Sequence, residues 1–132
     1  MKYMLDTNIC IYIIKNKPAK VLKKFSKVEP KDVCISSITS SELWYGVNKS
    51  SSFEHNAIAL EEFLSPLTIL EYDESASKIY GEIRAELEKK GQVIGSMDLL
   101  ISAHAISRSL TLVTNNSNEF KRVKGLKIEN WA

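Results

Sequence analysis

Met1-Lys2-Tyr3-Met4-Leu5-Asp6-Thr7-Asn8 opens the chain, and Ile9-Cys10-Ile11-Tyr12-Ile13-Ile14 follows it. The first five residues form a short apolar run, the next three are polar, and the apolar character then resumes. An apolar run of this length, too short for a signal peptide, reads as a buried central strand. The Asp-Thr-Asn break reads as the end of that strand and the cap of a helix. In parallel α/β folds, ligands bind beyond the carboxyl ends of such strands. Asp6 therefore stands where a functional group belongs. A local role explains it equally well, since an Asp here accepts a backbone N–H of the following helix.

The same alternation continues along the chain. Asn16-Lys17-Pro18 makes a turn, with Pro18 suited to the first position of a second helix. Val21, Leu22, Phe25 and Val28 form its apolar side, and Lys20, Lys23, Lys24 and Lys27 recur with helical spacing on another face. Such a stripe is ordinarily a solvated helix face, the alternative being a row of phosphate contacts. Val33-Cys34-Ile35-Ser36-Ser37 is a second strand, and a helix runs from about Thr39 past Leu43, Trp44 and Val47 toward Lys49. Ala57, Leu60, Phe63 and Leu64 mark another helix, stopped by Ser65-Pro66. Leu67-Thr68-Ile69-Leu70 is a third strand, and Asp73 caps a long helix that Gly91 ends. Ile94-Gly95-Ser96-Met97-Asp98 opens a strongly apolar helix. Leu110-Thr111-Leu112-Val113 is a fourth strand, Glu119 and Phe120 lie in a short helical turn, and Leu126-Lys127-Ile128 is a fifth strand. Strands alternating with helices imply an α/β three-layer sandwich around a mainly parallel sheet.

With 132 residues, a single domain spanning 1–132 is expected, large enough to bury its own core. No apolar run reaches the roughly 18 residues needed to span a membrane, and no cleavable leader is seen, so the default location is cytoplasmic. Cys10 and Cys34 fall in apolar runs and read as buried thiols of a reducing compartment. Two His and no Cys-x-x-Cys argue against structural zinc. A net charge of +2 does not by itself indicate nucleic acid, but its distribution is uneven. Residues 1–31 carry eight Lys against two acids, whereas residues 54–74 carry six acids and no Lys or Arg. One face thus favours polyanions.

Four acids occupy equivalent places, just after a strand or at the start of a helix: Asp6, Glu42, Asp98 and Glu119. Each has a local explanation. Thr39-Ser40-Ser41-Glu42 matches a capping box, Asp98 complements a helix macrodipole, and Glu119 could be a surface acid. Together they imply more, provided the strand order brings their ends together. Two like charges 4 Å apart repel by ~4 kcal/mol at an effective dielectric of about 20, so a proton or cation must neutralise them. All-oxygen ligands favour Mg²⁺ or Mn²⁺, ions that serve phosphoryl chemistry without a nucleophilic His or Ser. His104, in an apolar helix, reads as a core histidine, and Trp44 and Tyr45 as packing residues that could alternatively stack on bases. Gly91 and Gly95 lack the Lys-Ser/Thr of a phosphate-binding loop.

Met4-Leu5-Asp6-Thr7-Asn8, Ser41-Glu42-Leu43 with Gly46, Ile94-Gly95-x-x-Asp98-Leu99-Leu100-Ile101-x-Ala103-His104-Ala105, and Leu112-Val113-Thr114-Asn115-Asn116 with Glu119-Phe120 resemble the PIN-domain family. More narrowly they resemble the VapC toxins of bacterial VapBC toxin–antitoxin pairs, over nearly the whole chain. The resemblance implies a Mg²⁺-dependent endoribonuclease, with Mn²⁺ as a substitute. By position, Asp6 and Asp98 would be the principal metal ligands, and Glu42 would bind or orient the metal's water. Thr114 and Asn116 would support the cluster, and Asn8 would orient Asp6. The sequence departs from the family where many members have a further Asp, near Asn116, which leaves Glu119 as the nearby replacement. The resemblance also implies an RNA substrate, with tRNA among the candidates, and a homodimer. It implies a cognate antitoxin as well, whose amphipathic segment would lie between helices near Trp44 and Phe63 while a basic side chain pairs with the acids. Two other readings compete: a phosphatase with Asp6 as nucleophile, and a non-catalytic α/β binding module. The phosphatase would carry Asp-x-Asp after strand one, and residue 8 is Asn.

Overall fold

The computed structural model describes all 132 residues. Five strands form one sheet: β1 (Tyr3–Leu5), β2 (Val33–Ser36), β3 (Thr68–Leu70), β4 (Thr111–Val113) and β5 (Lys127–Glu129). Their order is β3-β2-β1-β4-β5 and every pairing is parallel, where the sequence indicated only a mainly parallel sheet. The register aligns the carboxyl ends: Leu5 faces Val113, Val113 faces Glu129, and Ser36 faces Leu70.

Period-two alternation splits the strands between two cores. Leu5, Val33, Ile35 and Val113 point into one apolar cluster with Ile9, Val21, Leu43, Val47 and Leu60. Met4, Cys34 and Leu112 point into the other, with Leu87, Leu99, Ile101 and Phe120. Helices α1 (Thr7–Ile14), α2 (Ala19–Ser26), α3 (Ser37–Lys49) and α4 (Phe53–Leu64) close the first face. Helices α5 (Glu74–Lys89), α6 (Ser96–Ser107) and α7 (Ser117–Phe120) close the second, completing three layers. Cys10 and Cys34 are buried free thiols, and burial pushes both well above the ordinary thiol range.

Several boundaries differ from the sequence reading. Pro18 is the N-cap of α2 rather than its first helical residue, and Val28 lies beyond the helix end. Leu110 precedes β4. Most consequential, α3 starts at Ser37 with Ser36 as its cap, two residues before the expected Thr39. Asp73 does cap α5, accepting the Ala76 N–H at 3.1 Å, and Gly91 (φ 64°) follows that helix in the left-handed region that glycine tolerates. No helix is long and apolar enough to cross a membrane.

Candidate active site

The strand order reverses direction at β1 and β4, and in parallel sheets the crevice at such a point is where ligands bind. Asp6 follows β1 directly, and its N–H donates to the Val113 carbonyl at 3.0 Å, carrying the ladder up to the acid itself. The side chain is 5% exposed. Its Oδ1 accepts the Ile9 N–H at 2.9 Å, so the capping role is real. Burial raises the Asp6 carboxyl above its ordinary range; hydrogen bonds from Thr114 and Ile9 oppose this, and the charge of Glu42 reinforces it. Asn8, expected to orient Asp6, is instead solvent-exposed and makes no hydrogen bond to it. The helical step after Asp6 turns Asn8 outward, and Thr114, at the end of the paired strand, takes that place.

Glu42 is no part of a capping box. Ser36 is the cap of α3 and Thr39 lies buried in its first turn, so Glu42 does not stand three residues after the cap as that motif requires. Glu42 Oε1 instead accepts the Thr7 hydroxyl at 2.6 Å, a bond between α1 and α3 across 35 residues of sequence. Thr7 thus joins the site, and no local motif marks it.

Asp98 occupies the first turn of α6, where Gly95 provides no side-chain cap. Its carboxyl lies near enough to that of Glu119 on α7 for the two to share a proton. Burial first, then hydrogen bonding with Glu119 and the charges of Glu119, Asp6 and Glu42 raise Asp98 to about 7. Asn116 holds Glu119 in place. Its Nδ2 donates to Glu119 Oε2 at 3.1 Å while its backbone N–H donates to Thr114 Oγ1 at 2.9 Å. The amide at residue 116 therefore orients the replacement acid.

Four carboxyls from four elements meet at one sheet edge, close enough for Asp98 to feel each of the others. A proton relieves their repulsion here, and a cation would do the same. No three of them close into a ready-made cage. Mg²⁺ takes one or two carboxylates and retains waters, so an open all-oxygen set suits it.

The remaining candidates separate cleanly. His104 is fully buried and hydrogen-bonded to Ser36, a core histidine as expected. Trp44 packs partly buried against the first core, and Tyr45 is 66% exposed beneath Lys49. Lys20, Lys23, Lys24 and Lys27 are all exposed on or beside α2. A groove of about 300 Å³ runs between α1, α3 and α4, but its walls are Ile11, Ile14, Leu43, Gly46 and Val47, with Glu42 beside them. Trp44 and Phe63, expected as walls, face the core instead.

A parallel five-stranded sheet with this acidic edge is the arrangement of a PIN domain, and that family matches residues 3–126; the chain belongs to it. Within the family its relatives are VapC proteins. It is 49% identical to the tRNA(fMet)-specific endonuclease VapC of Shigella flexneri and 50% identical to ribonuclease VapC2 of Haemophilus influenzae. Each match covers all of this chain and 99% of the relative. A chain in the crystal structure of VapBC2 from Rickettsia felis bound to a DNA fragment from their promoter matches at TM-score 0.94 and 46% identity, with complete coverage of both. These relatives agree with the fold and the ribonuclease-toxin reading drawn from the motifs.

Proposed function

We propose that this chain is the toxin of a toxin–antitoxin pair, an endoribonuclease dependent on Mg²⁺ or Mn²⁺. The observation that carries the reading is the convergence of Asp6, Glu42, Asp98 and Glu119, with Asp98 raised to about 7. When bound, the cation supplies positive charge for the phosphate and acidity for a water. Asp6 and Asp98 would hold it, Asp98 in its deprotonated form. The Thr7 hydroxyl fixes Glu42 through Oε1, and the other carboxylate oxygen would be free to take a proton from the attacking water. Attack at phosphorus breaks the bond to the 3′ oxygen, leaving 5′-phosphate and 3′-hydroxyl ends.

The substrate is RNA, and the name of the Shigella relative favours a tRNA. Exposed loops are where proteins read RNA sequence. The α2 lysines supply phosphate contacts at a distance from the chemistry. The partner is an antitoxin whose apolar helix face fills the groove beside Glu42 and whose Arg or Lys pairs with the acids. The toxin works as a homodimer. Expression of the chain alone should arrest growth, and co-expression of a neighbouring small open reading frame should relieve the arrest and co-purify with it. Harmless expression of correctly folded chain, with no partner recovered, would contradict the toxin assignment.

A further inference from the structure

Ser36 and His104 lie outside the acidic edge, and the chemistry described so far leaves them unused. Both are fully buried, and His104 Nδ1 is 2.7 Å from Ser36 Oγ. Ser36 Oγ already accepts the Ile38 N–H at 3.1 Å as the cap of α3. The ring is neutral, and its tautomer sets which of the two atoms donates. Burial favours that neutral form. The Glu71 carbonyl lies near the ring, yet Nε2 completes no regular hydrogen bond. The edge of Tyr72 closes the pocket at 5.6 Å from the ring, and the Tyr72 N–H donates to Ser37 Oγ at 3.0 Å.

This bond links two helices that each carry an acid. Ser36 is six residues before Glu42, and His104 is six residues after Asp98. Six residues of helix rise about 9 Å, so each partner holds its helix at a fixed distance from the acid. It is the one side-chain hydrogen bond between α6 and the β2–α3 segment, whereas the buried hydroxyls of Thr39 and Ser102, on the same two helices, have no partner. Apolar packing alone tolerates small slips along a seam, and a directional bond does not.

We propose that Ser36 and His104 are a positioning pair that sets the spacing of Glu42 and Asp98 by fixing α3 against α6. The inference rests on the metal-dependent ribonuclease reading of those acids. Residues that orient ligands at one remove typically alter metal affinity by about 10–100-fold when removed.

His104→Asn and His104→Leu separate this role from core packing, because the two replacements share one shape. Asn puts an acceptor near the Nδ1 position and leaves its NH₂ unpaired; Leu fills the space without an acceptor. Stability should therefore favour Leu, whereas positioning should favour Asn. Mn²⁺ affinity of the full chain, read by calorimetry, should fall about tenfold in His104→Leu and less than about threefold in His104→Asn. In RNA cleavage, kcat should follow the same order with KM unchanged. The proposal is overturned if Leu binds Mn²⁺ as the unaltered chain does, or if Asn is as weak as Leu. An unaltered chain that binds Mn²⁺ but cuts no RNA would remove the ribonuclease reading, and the affinity order would still judge the pair. If it neither binds nor cuts, both fall.

Discussion

Replacing Asp98 with Asn removes one charge from the acidic edge and keeps the side chain's shape. An Asn amide can also donate a hydrogen bond to Glu119, as a protonated Asp98 could. In the folded, metal-free chain Asp98 sits at about 7 instead of 3.8, because of burial and its acidic neighbours. A carboxyl raised on folding binds its proton more tightly in the folded state than in the unfolded state. Its contribution to stability is complete below 3.8 and is lost as pH rises through about 7. At ~1.4 kcal/mol per pH unit, the interval from 3.8 to about 7 corresponds to ~4 kcal/mol. Asp98 is only half-buried, and solvent screening reduces this to about 1–2 kcal/mol. For a domain of this size that is about 4–8 °C in Tm. Thermal unfolding in EDTA should show Asp98→Asn and the unaltered chain melting together near pH 4, with the variant higher by that margin at pH 8. Added Mg²⁺ should stabilise the unaltered chain and leave the variant unmoved. A gap that does not change with pH, or a variant that melts lower at pH 8, would refute the electrostatic account of this edge.

Asp6→Asn should abolish cleavage with an unchanged circular dichroism spectrum, because Asn caps a helix about as well as Asp does; near-normal turnover would count against Asp6 as a ligand. Thr7→Val removes the 2.6 Å bond to Glu42 at nearly constant volume, and kcat should drop about tenfold by steady-state assay. Unchanged turnover would leave Thr7 without a role in the site. Changing Lys20, Lys23, Lys24 and Lys27 together to Gln should weaken RNA binding and flatten the dependence of log affinity on log salt by up to ~0.7 for each phosphate no longer neutralised. An unaltered slope would return the stripe to a solvated face.

Much of the frame was legible because its signals are local. Apolar runs broken by Asp6-Thr7 and Val113-Thr114 mark strand ends, and a parallel sheet then places those ends together. The reading failed where several residues offered the same local signal. Ser36, Ser37, Thr39, Ser40 and Ser41 are all able to cap a helix, and the true cap was set by where β2 stops pairing with β3. The capping-box alternative for Glu42 fails for that reason, and its partner is Thr7, 35 residues away. Asn8 is expected to orient Asp6 and Thr114 to support the cluster as a whole, and only the pairing of β1 with β4 reveals that Thr114 stands beside Asp6. Asn116 is expected among the supporting residues, but its partner Glu119 could not be named, because that hydrogen bond has no signature in composition or spacing.

RNA hydrolysis at the acidic edge is expected to require a divalent cation. Purified toxin, freed of any partner, should be incubated with total tRNA in Mg²⁺ and in EDTA, and the new termini characterised by ligation and phosphatase sensitivity. Cleavage in Mg²⁺ alone, giving 5′-phosphate and 3′-hydroxyl ends, is the predicted result. Cleavage that survives EDTA, or fragments ending in 2′,3′-cyclic phosphate from attack by the ribose hydroxyl, would contradict it.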